Sequence, residues 1–469
     1  MIHSKQFTLD QLAPIAVYSK LKEMFKDEIT YLFESAGGSE GNYSIICIGA
    51  RERLQYIDDK TLYTDANGKQ HIKQENPFTF LKKYYKAIDT TPYKEATKKL
   101  KVGYVDGFIG YIGYDMVKVF EPKLGSSMDN LVDELQTPDL DLILPKMLLI
   151  YAHKTHKITL VSTLKEFEEK FTSIHDDLKG TYTYKHRVHN VGDDKGSFAH
   201  SKTKFFEMID KSKEMIKSGD VFQILMTNRF TRNIKVHPFS FYRILRAKNP
   251  SPYMFLMEYE DFSIVGSSPE VMVRLQDGEL LLRPIAGTRK RGETKEQDKE
   301  LELDLLSDPK ELAEHLMLID LGRNDIGRVA KTGSVKVEDM MHIEHYSHVM
   351  HIVTDVIAEL ADDKDMFDLF MATFTAGTMT GAPKIRAMEL IAEYEGLKRG
   401  FYSGSIGYFG FDGNMDSSIT IRTAMVKEDR VILQAGAGIV ADSVKDSEYQ
   451  EVENKLGALI HSLHDLDQK

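Results

Sequence analysis

Apolar and polar positions change period several times along the chain, and each change marks an element. In the first 190 residues short apolar runs at 43–48, 107–119 and 142–151 read as strands. The segment 157–162 (KITLVS) alternates polar and apolar and reads as the second arm of a hairpin. From 202 the spacing turns helical, and KFFEMIDKSKEMIKSG closes on Gly219, a residue suited to a left-handed C-cap. The pattern then predicts strands at 221–227, 262–266 and 280–283, helices at 296–306 and 309–320, and a strand over the β-branched run 349–357. After these come a helix at 383–395 opened by Pro383, strands at 405–411, 418–426 and 431–434, and a closing amphipathic helix at 448–463. Many strands follow one another through short turns, which predicts an α+β chain with a largely antiparallel or mixed sheet. The polar stretch 189–197 (HNVGDDKGS) is the best break, dividing the chain into regions 1–190 and 195–469.

At 469 residues with 42% hydrophobic content, the chain can bury two or three ordinary cores or one large one. Its net charge of −11 argues against a polyanionic partner such as nucleic acid. No apolar run is long enough to span a bilayer, and the opening MIHSKQFTLD lacks the layout of a secretory signal, so a cytoplasmic location is expected. The single cysteine, Cys47, lies in an apolar run and reads as a buried core thiol rather than a nucleophile.

Several places could carry chemistry. On the last helix Glu448, Glu451 and Lys455 fall within about 60° of one another, at the edge of the stripe Val452, Leu456, Leu459, Leu463. Alone, this trio reads equally as an ordinary Glu–Lys surface pair. Glu314, among apolar positions of another helix, needs a partner. Together these carboxylates suit Mg²⁺, which takes one or two protein carboxylates plus an anionic substrate; salt bridges to Arg323, Arg328 and Lys455 are the alternative. Arg422, in SSITIRTAMV, is expected on a strand face opposite Ile419 and Ile421, free to grip a carboxylate bidentately. The small residues Gly436, Ala437 and Gly438 follow a short turn and could offer backbone N–H groups to an anion; GTMTGAPK (377–384) is a second such turn. Glu270 closes GSSPE after a strand. His342, His345, His348 and His351 recur at a spacing of three, but on a strand they cannot converge on zinc.

In this order the chain resembles the chorismate-utilising enzyme family. The resemblance rests on GDVFQ (219–223), GSSPE (266–270), RPIAGTRKRG (283–292), DPKELAEHLMLIDLGRNDIGRV (308–329), YSHVMHIV (346–353), AGTMTGAPKIRAMELI (376–391), GSIGYF (404–409), IRTA (421–424) and 434–455. It extends more weakly to YLFESA (31–36), NYSIICIGA (42–50) and GFIGYIGYD (107–115). The family fold is a large antiparallel two-sheet sandwich with outer helices. The resemblance implies that Glu314, Glu448 and Glu451 hold Mg²⁺ against the ring carboxylate of chorismate. It places Thr378, Tyr402, Arg422, Gly436, Ala437, Gly438 and Lys455 around the substrate, Glu270 as general acid at the C4 hydroxyl, and His351 in the second, aromatising step. His345 and Asn42 stand where the family commonly has arginine, and Thr227-Asn228 replaces a more usual Ser-Gln.

Two positions point to one branch of the family. Relatives that add water carry a lysine base where this chain has Gln223. Those that aminate at C4 often carry PIKGT, whose lysine adds to the substrate, and this chain has Ala286 there. The expected activity is therefore amination at C2, giving anthranilate and pyruvate, ahead of aminodeoxychorismate, isochorismate or salicylate synthesis or an inactive regulatory paralogue. Cys47 cannot serve a glutaminase, so ammonia is expected from a separate subunit in a hetero-oligomer. In anthranilate-forming relatives L-tryptophan inhibits at LLES-like and NPSPYMF-like motifs, which here correspond to Glu34-Ser35 and to Pro252, Tyr253 and Met254.

Overall fold

The structure, a computed structural model, describes residues 1–35, 43–184, 194–346 and 349–466. The predicted break at 189–197 lies largely outside the described residues, as do Asn42 and His348.

Among the described residues twenty-two strands are joined in one hydrogen-bonded network whose strand pairs are antiparallel. Strands from the two predicted regions of the chain meet in it at two pairings. Thr30–Glu34 pairs with Tyr253–Glu258, and Gly107–Ile112 pairs with Ser405–Gly410. The predicted hairpin arm Lys157–Ser162 pairs with Leu140–Ala152.

The strands are apolar on both sides because both faces of the sheet are covered. Successive residues of one strand enter different apolar clusters. Tyr31, Cys47, Leu148, Phe255, Met425 and Ile432 enter one. Leu32, Ile46, Leu149, Leu256, Val426 and Leu433 enter the other. The second cluster also takes residues from the helices Pro14–Met24, Lys202–Ser218, Pro238–Lys248, Lys384–Glu395 and Lys445–His464. This two-sided burial explains why the strands read as continuous apolar runs. Cys47 is fully buried, as its apolar neighbours predicted. Among the described residues no helix is long and apolar enough to cross a membrane.

Most predicted elements form, with shifted ends. The helix from Lys202 stops at Ser218, with Gly219 in the left-handed region at φ 84°. The helix from Pro309 runs on to Gly327, because Ile319 and Ile326 continue its buried face. Pro383 caps rather than opens the helix Lys384–Glu395. The predicted strand 418–426 is two strands, Met415–Ile419 and Thr423–Lys427. The next strand, Arg430–Ile439, is longer than expected and contains Gly436, Ala437 and Gly438.

Candidate active site

The interruption between Ile419 and Thr423 shapes the site. The expected strand geometry of Arg422 does not form. Ile421 N–H turns back to the Ile419 carbonyl at 3.0 Å, and Arg422 takes a left-handed φ of 51°. Thr423–Lys427 pairs with its neighbour only as far as Leu433, whereas that neighbour continues along Gln223–Arg232 to Ile439. Among the described residues, therefore, the strand has a partner on one edge only from Gln434 onward. The Gly436–Gly438 segment is not a loop, but it lies beside an open edge. Lys455 closes part of that edge by donating to the Gly436 carbonyl at 2.8 Å.

Arg422 and Glu270 flank the same gap. The Arg422 carbonyl accepts from Ser267 N–H at 3.2 Å, and the Glu270 carbonyl accepts from Ile419 N–H at 3.0 Å. Among the described residues no group accepts a hydrogen bond from the Arg422 guanidinium, which senses Tyr402, Glu270 and Glu451 only through space. Burial lowers its pKa, as expected of a cation with no bonded counter-ion. Tyr402 is held close because Ser403 N–H donates to the Thr420 carbonyl at 3.0 Å. Burial raises the pKa of Tyr402 and keeps its phenol protonated. Burial also raises the Glu270 carboxyl, against the pull of Arg422 and Lys455, and the Thr378 hydroxyl lies 3.4 Å from it. Thr378 sits on a 3₁₀ turn, Gly377–Met379. That turn seats on Leu321 so closely that a Cβ at Gly377 would fall 1.9 Å from the Leu321 side chain.

His351 lies on the strand Val349–Glu359. Its neighbours Met350 and Ile352 pack with Leu305 under the helices, so His351 faces the other way. Its Nδ1 meets the Gly287 carbonyl at 2.9 Å and the Thr288 hydroxyl at 3.1 Å. Burial lowers its pKa and Arg422 adds to this, while the Gly287 hydrogen bond pulls the other way, so the balance favours the neutral ring. Tyr346 approaches edge-on at 5.4 Å, and Glu344 accepts from the Tyr346 hydroxyl at 3.0 Å. Sequence reading did not single out Gly287, Thr288, Glu344 or Tyr346; the glycine inside RPIAGTRKRG was the available signal of a bulge. His342 and His345 lie on a separate strand, Lys336–His345, where His345 meets Glu302.

The three candidate metal carboxylates occupy two helices. Glu451 pairs with Lys455 at 2.6 Å, and Arg323 and Arg328 pair instead with Asp320 and Glu121. Glu314 accepts from the Gln223 amide at 3.3 Å. Burial raises the Glu448 carboxyl, and Glu451 adds to the rise. Lys310, one turn before Glu314, pulls it the other way, so the two helices face each other here. Among the described residues no three His, Cys, Asp or Glu side chains form a ready-made metal cluster. Two mutually repelling carboxylates beside an open strand edge nevertheless fit a hard divalent cation that fills its shell with water and substrate oxygens.

A cavity of about 810 Å³ is lined by residues of both regions, among them Phe33, Ile109, Phe255 and Ile406. It brings together all five predicted regulatory residues, Glu34, Ser35, Pro252, Tyr253 and Met254, and extends to Glu344 and Tyr346. Glu34 is buried and accepts from Tyr242 at 2.7 Å and from Arg246 at 3.1 Å. Tyr253 donates to Asp416 at 2.9 Å.

The chorismate binding enzyme family model matches residues 28–461. The chain is 42% identical to anthranilate synthase component 1 of Aquifex aeolicus (strain VF5), over 98% of this chain and 93% of that protein. It is 40% identical to the protein of the same name from Bacillus subtilis (strain 168), over 98% of this chain and 91% of that protein. Its fold superposes on the crystal structure of anthranilate synthase component I from Streptococcus pneumoniae TIGR4 with a TM-score of 0.79 and 32% identity, covering 97% and 99% of the two chains. The menaquinone-specific isochorismate synthase of Escherichia coli shares the fold, with a TM-score of 0.72 at 18% identity.

Proposed function

Because the chain belongs to the chorismate binding enzyme family, and within it to the anthranilate synthase component 1 group, we propose that it converts chorismate and ammonia to anthranilate and pyruvate, as a magnesium-dependent lyase. The observation that carries this reading is the gap at Thr420–Arg422. There a guanidinium without a bonded counter-ion, a protonated phenol and an open strand edge face a carboxyl whose pKa burial raises.

In this reading Arg422, Tyr402 and the Gly436–Gly438 edge bind the enolpyruvyl carboxylate through charge-assisted bonds, and Lys455 and Thr378 hold the surrounding groups. Ammonia bonds at C2, the two ring double bonds shift, and the C4 hydroxyl leaves as water with the Glu270 proton. The new C2 ammonium then loses a proton to become the amine, which balances the one given by Glu270. In the second step the neutral His351 takes the C2 proton. The freed electron pair forms the ring double bond, the C3–O bond breaks, and the departing enolpyruvate becomes pyruvate on taking a proton. Glu314, Glu448 and Glu451 would hold Mg²⁺, which supplies charge compensation for the ring carboxylate. Gln223 offers no amine to activate water, and Ala286 offers none to form an adduct, which favours ammonia at C2 over the other outcomes. Ammonia comes from a separate glutaminase subunit, and the 810 Å³ cavity takes L-tryptophan as feedback inhibitor.

Purified protein supplied with chorismate, Mg²⁺ and an ammonium salt tests the proposal. Anthranilate and pyruvate in equal amounts, abolished by EDTA, are expected. A product aminated at C4 and still carrying its enolpyruvyl group, or isochorismate, would overturn it.

A further inference from the structure

We propose that Gly287 is a positioning residue for His351: its main-chain carbonyl, displaced from the ladder by a β-bulge, fixes the imidazole proton on Nδ1 and leaves the Nε2 lone pair for the substrate. The inference rests on the role given above to His351.

The register supplies the first argument. Ala286 pairs with Ile352 and Thr288 pairs with His351, so Gly287 is the extra residue between them. A bulged residue drops out of the regular ladder, and its carbonyl is available to a side chain. That carbonyl lies 2.9 Å from His351 Nδ1. A carbonyl oxygen only accepts, so Nδ1 must be the protonated nitrogen, and in a neutral ring Nε2 is then bare. The Thr288 hydroxyl, 3.1 Å from the same nitrogen, can donate or accept and does not decide the tautomer.

The backbone supplies the second. Gly287 has φ 65°, in the left-handed region that glycine enters without strain. A Cβ there would stand 3.0 Å from Leu305, 3.3 Å from the Glu311 carboxylate and 3.3 Å from Ile352. The bulge is thus wedged against the helix that carries Glu311 and Glu314. Tyr346, held by Glu344, stands edge-on to the imidazole, which has two neighbours besides the bulge to restrict its rotation.

The tautomer can be read directly. In ¹⁵N-histidine-labelled wild-type protein at neutral pH, long-range ¹⁵N–¹H correlation assigned by comparison with H351Q should show His351 protonated at Nδ1 only. T288V should keep that pattern. G287A should lose it to a mixture and slow the second step by about tenfold or more, while the first step keeps its rate. A wild-type ring protonated at Nε2, or a T288V protein that switches tautomer, would overturn the assignment. So would a folded G287A protein with both the spectrum and the second step unchanged. If G287A does not fold, the wild-type and T288V spectra decide. The spectrum needs no turnover, so a protein that makes no anthranilate would refute the proposed activity and leave the tautomer measurable.

Discussion

The Thr378 hydroxyl stands 3.4 Å from the Glu270 carboxylate, a long contact on the one carboxyl beside the gap that burial drives toward its acid form. A bond so long orients Glu270 without committing its proton. E270Q keeps the shape and removes the acid. Its kcat for anthranilate formation is expected to fall about 10²- to 10⁴-fold with KM little changed, read from pyruvate release. An E270Q enzyme within a factor of a few of wild type would remove Glu270 from the chemistry.

The two steps should depend on pH in opposite senses. Burial raises Glu270, so its acid form persists to higher pH than in a free glutamate, and the first step should weaken as pH rises through that value. Burial lowers His351, so its neutral form persists to lower pH than in a free histidine, and the second step should weaken only as pH falls through that value. Single-turnover traces that resolve loss of chorismate from appearance of pyruvate check both limbs. A first step that quickens with rising pH contradicts the assignment.

Arg422 should act mainly in binding. R422A removes the charge-assisted bonds to a substrate carboxylate, which corresponds to a rise in KM on the order of ten- to a hundredfold. Titration calorimetry with chorismate should show the same loss, and unchanged affinity would place the carboxylate elsewhere.

Ser35 and Tyr253 line the 810 Å³ cavity, whose lining includes none of Glu270, His351 and Arg422, so inhibition should separate from turnover. S35F fills that cavity. L-tryptophan inhibition is expected to disappear while uninhibited kcat stays within about twofold of wild type, since Ser35 has no part in the chemistry assigned to the gap. Equal inhibition of both proteins in an assay across L-tryptophan concentrations would exclude this cavity as the effector site.

Arg399 is fully buried and makes a 2.7 Å ion pair with Glu395, whose carboxylate also accepts from Thr227. E395A would strand the guanidinium, at a cost of about 3–5 kcal/mol. A lowered urea midpoint measures it, and an unchanged midpoint would mean that solvent reaches Arg399 when the pair is lost.

Much of the fold was legible because helix and strand periods differ and because both strand faces are apolar. Gly219 and the run from Lys202 placed one helix at nearly its full length. The site was harder to read. The alternation of Ile419, Thr420, Ile421 and Arg422 fits a strand perfectly well, and nothing local announces that the chain turns back at Ile421. Gly436, Ala437 and Gly438 resembled a loop because small residues usually mark one. Here they serve a strand whose edge must stay accessible. The contact between Gln223 and Glu314 joins residues far apart in sequence, and no periodicity encodes it.

The interruption at Thr420–Arg422 also sets stability against activity. A non-glycine residue held at φ 51° costs about 1–2 kcal/mol. A glycine there, or a deletion that let Ser418 and Lys427 share one uninterrupted strand, would relieve that strain and extend the ladder toward Gly438. The same change would remove the guanidinium or cover the edge it faces. Variants chosen for thermal stability alone should therefore collect changes at this turn and become sturdier, inactive proteins, so any stabilised catalyst built on this scaffold has to keep this local defect.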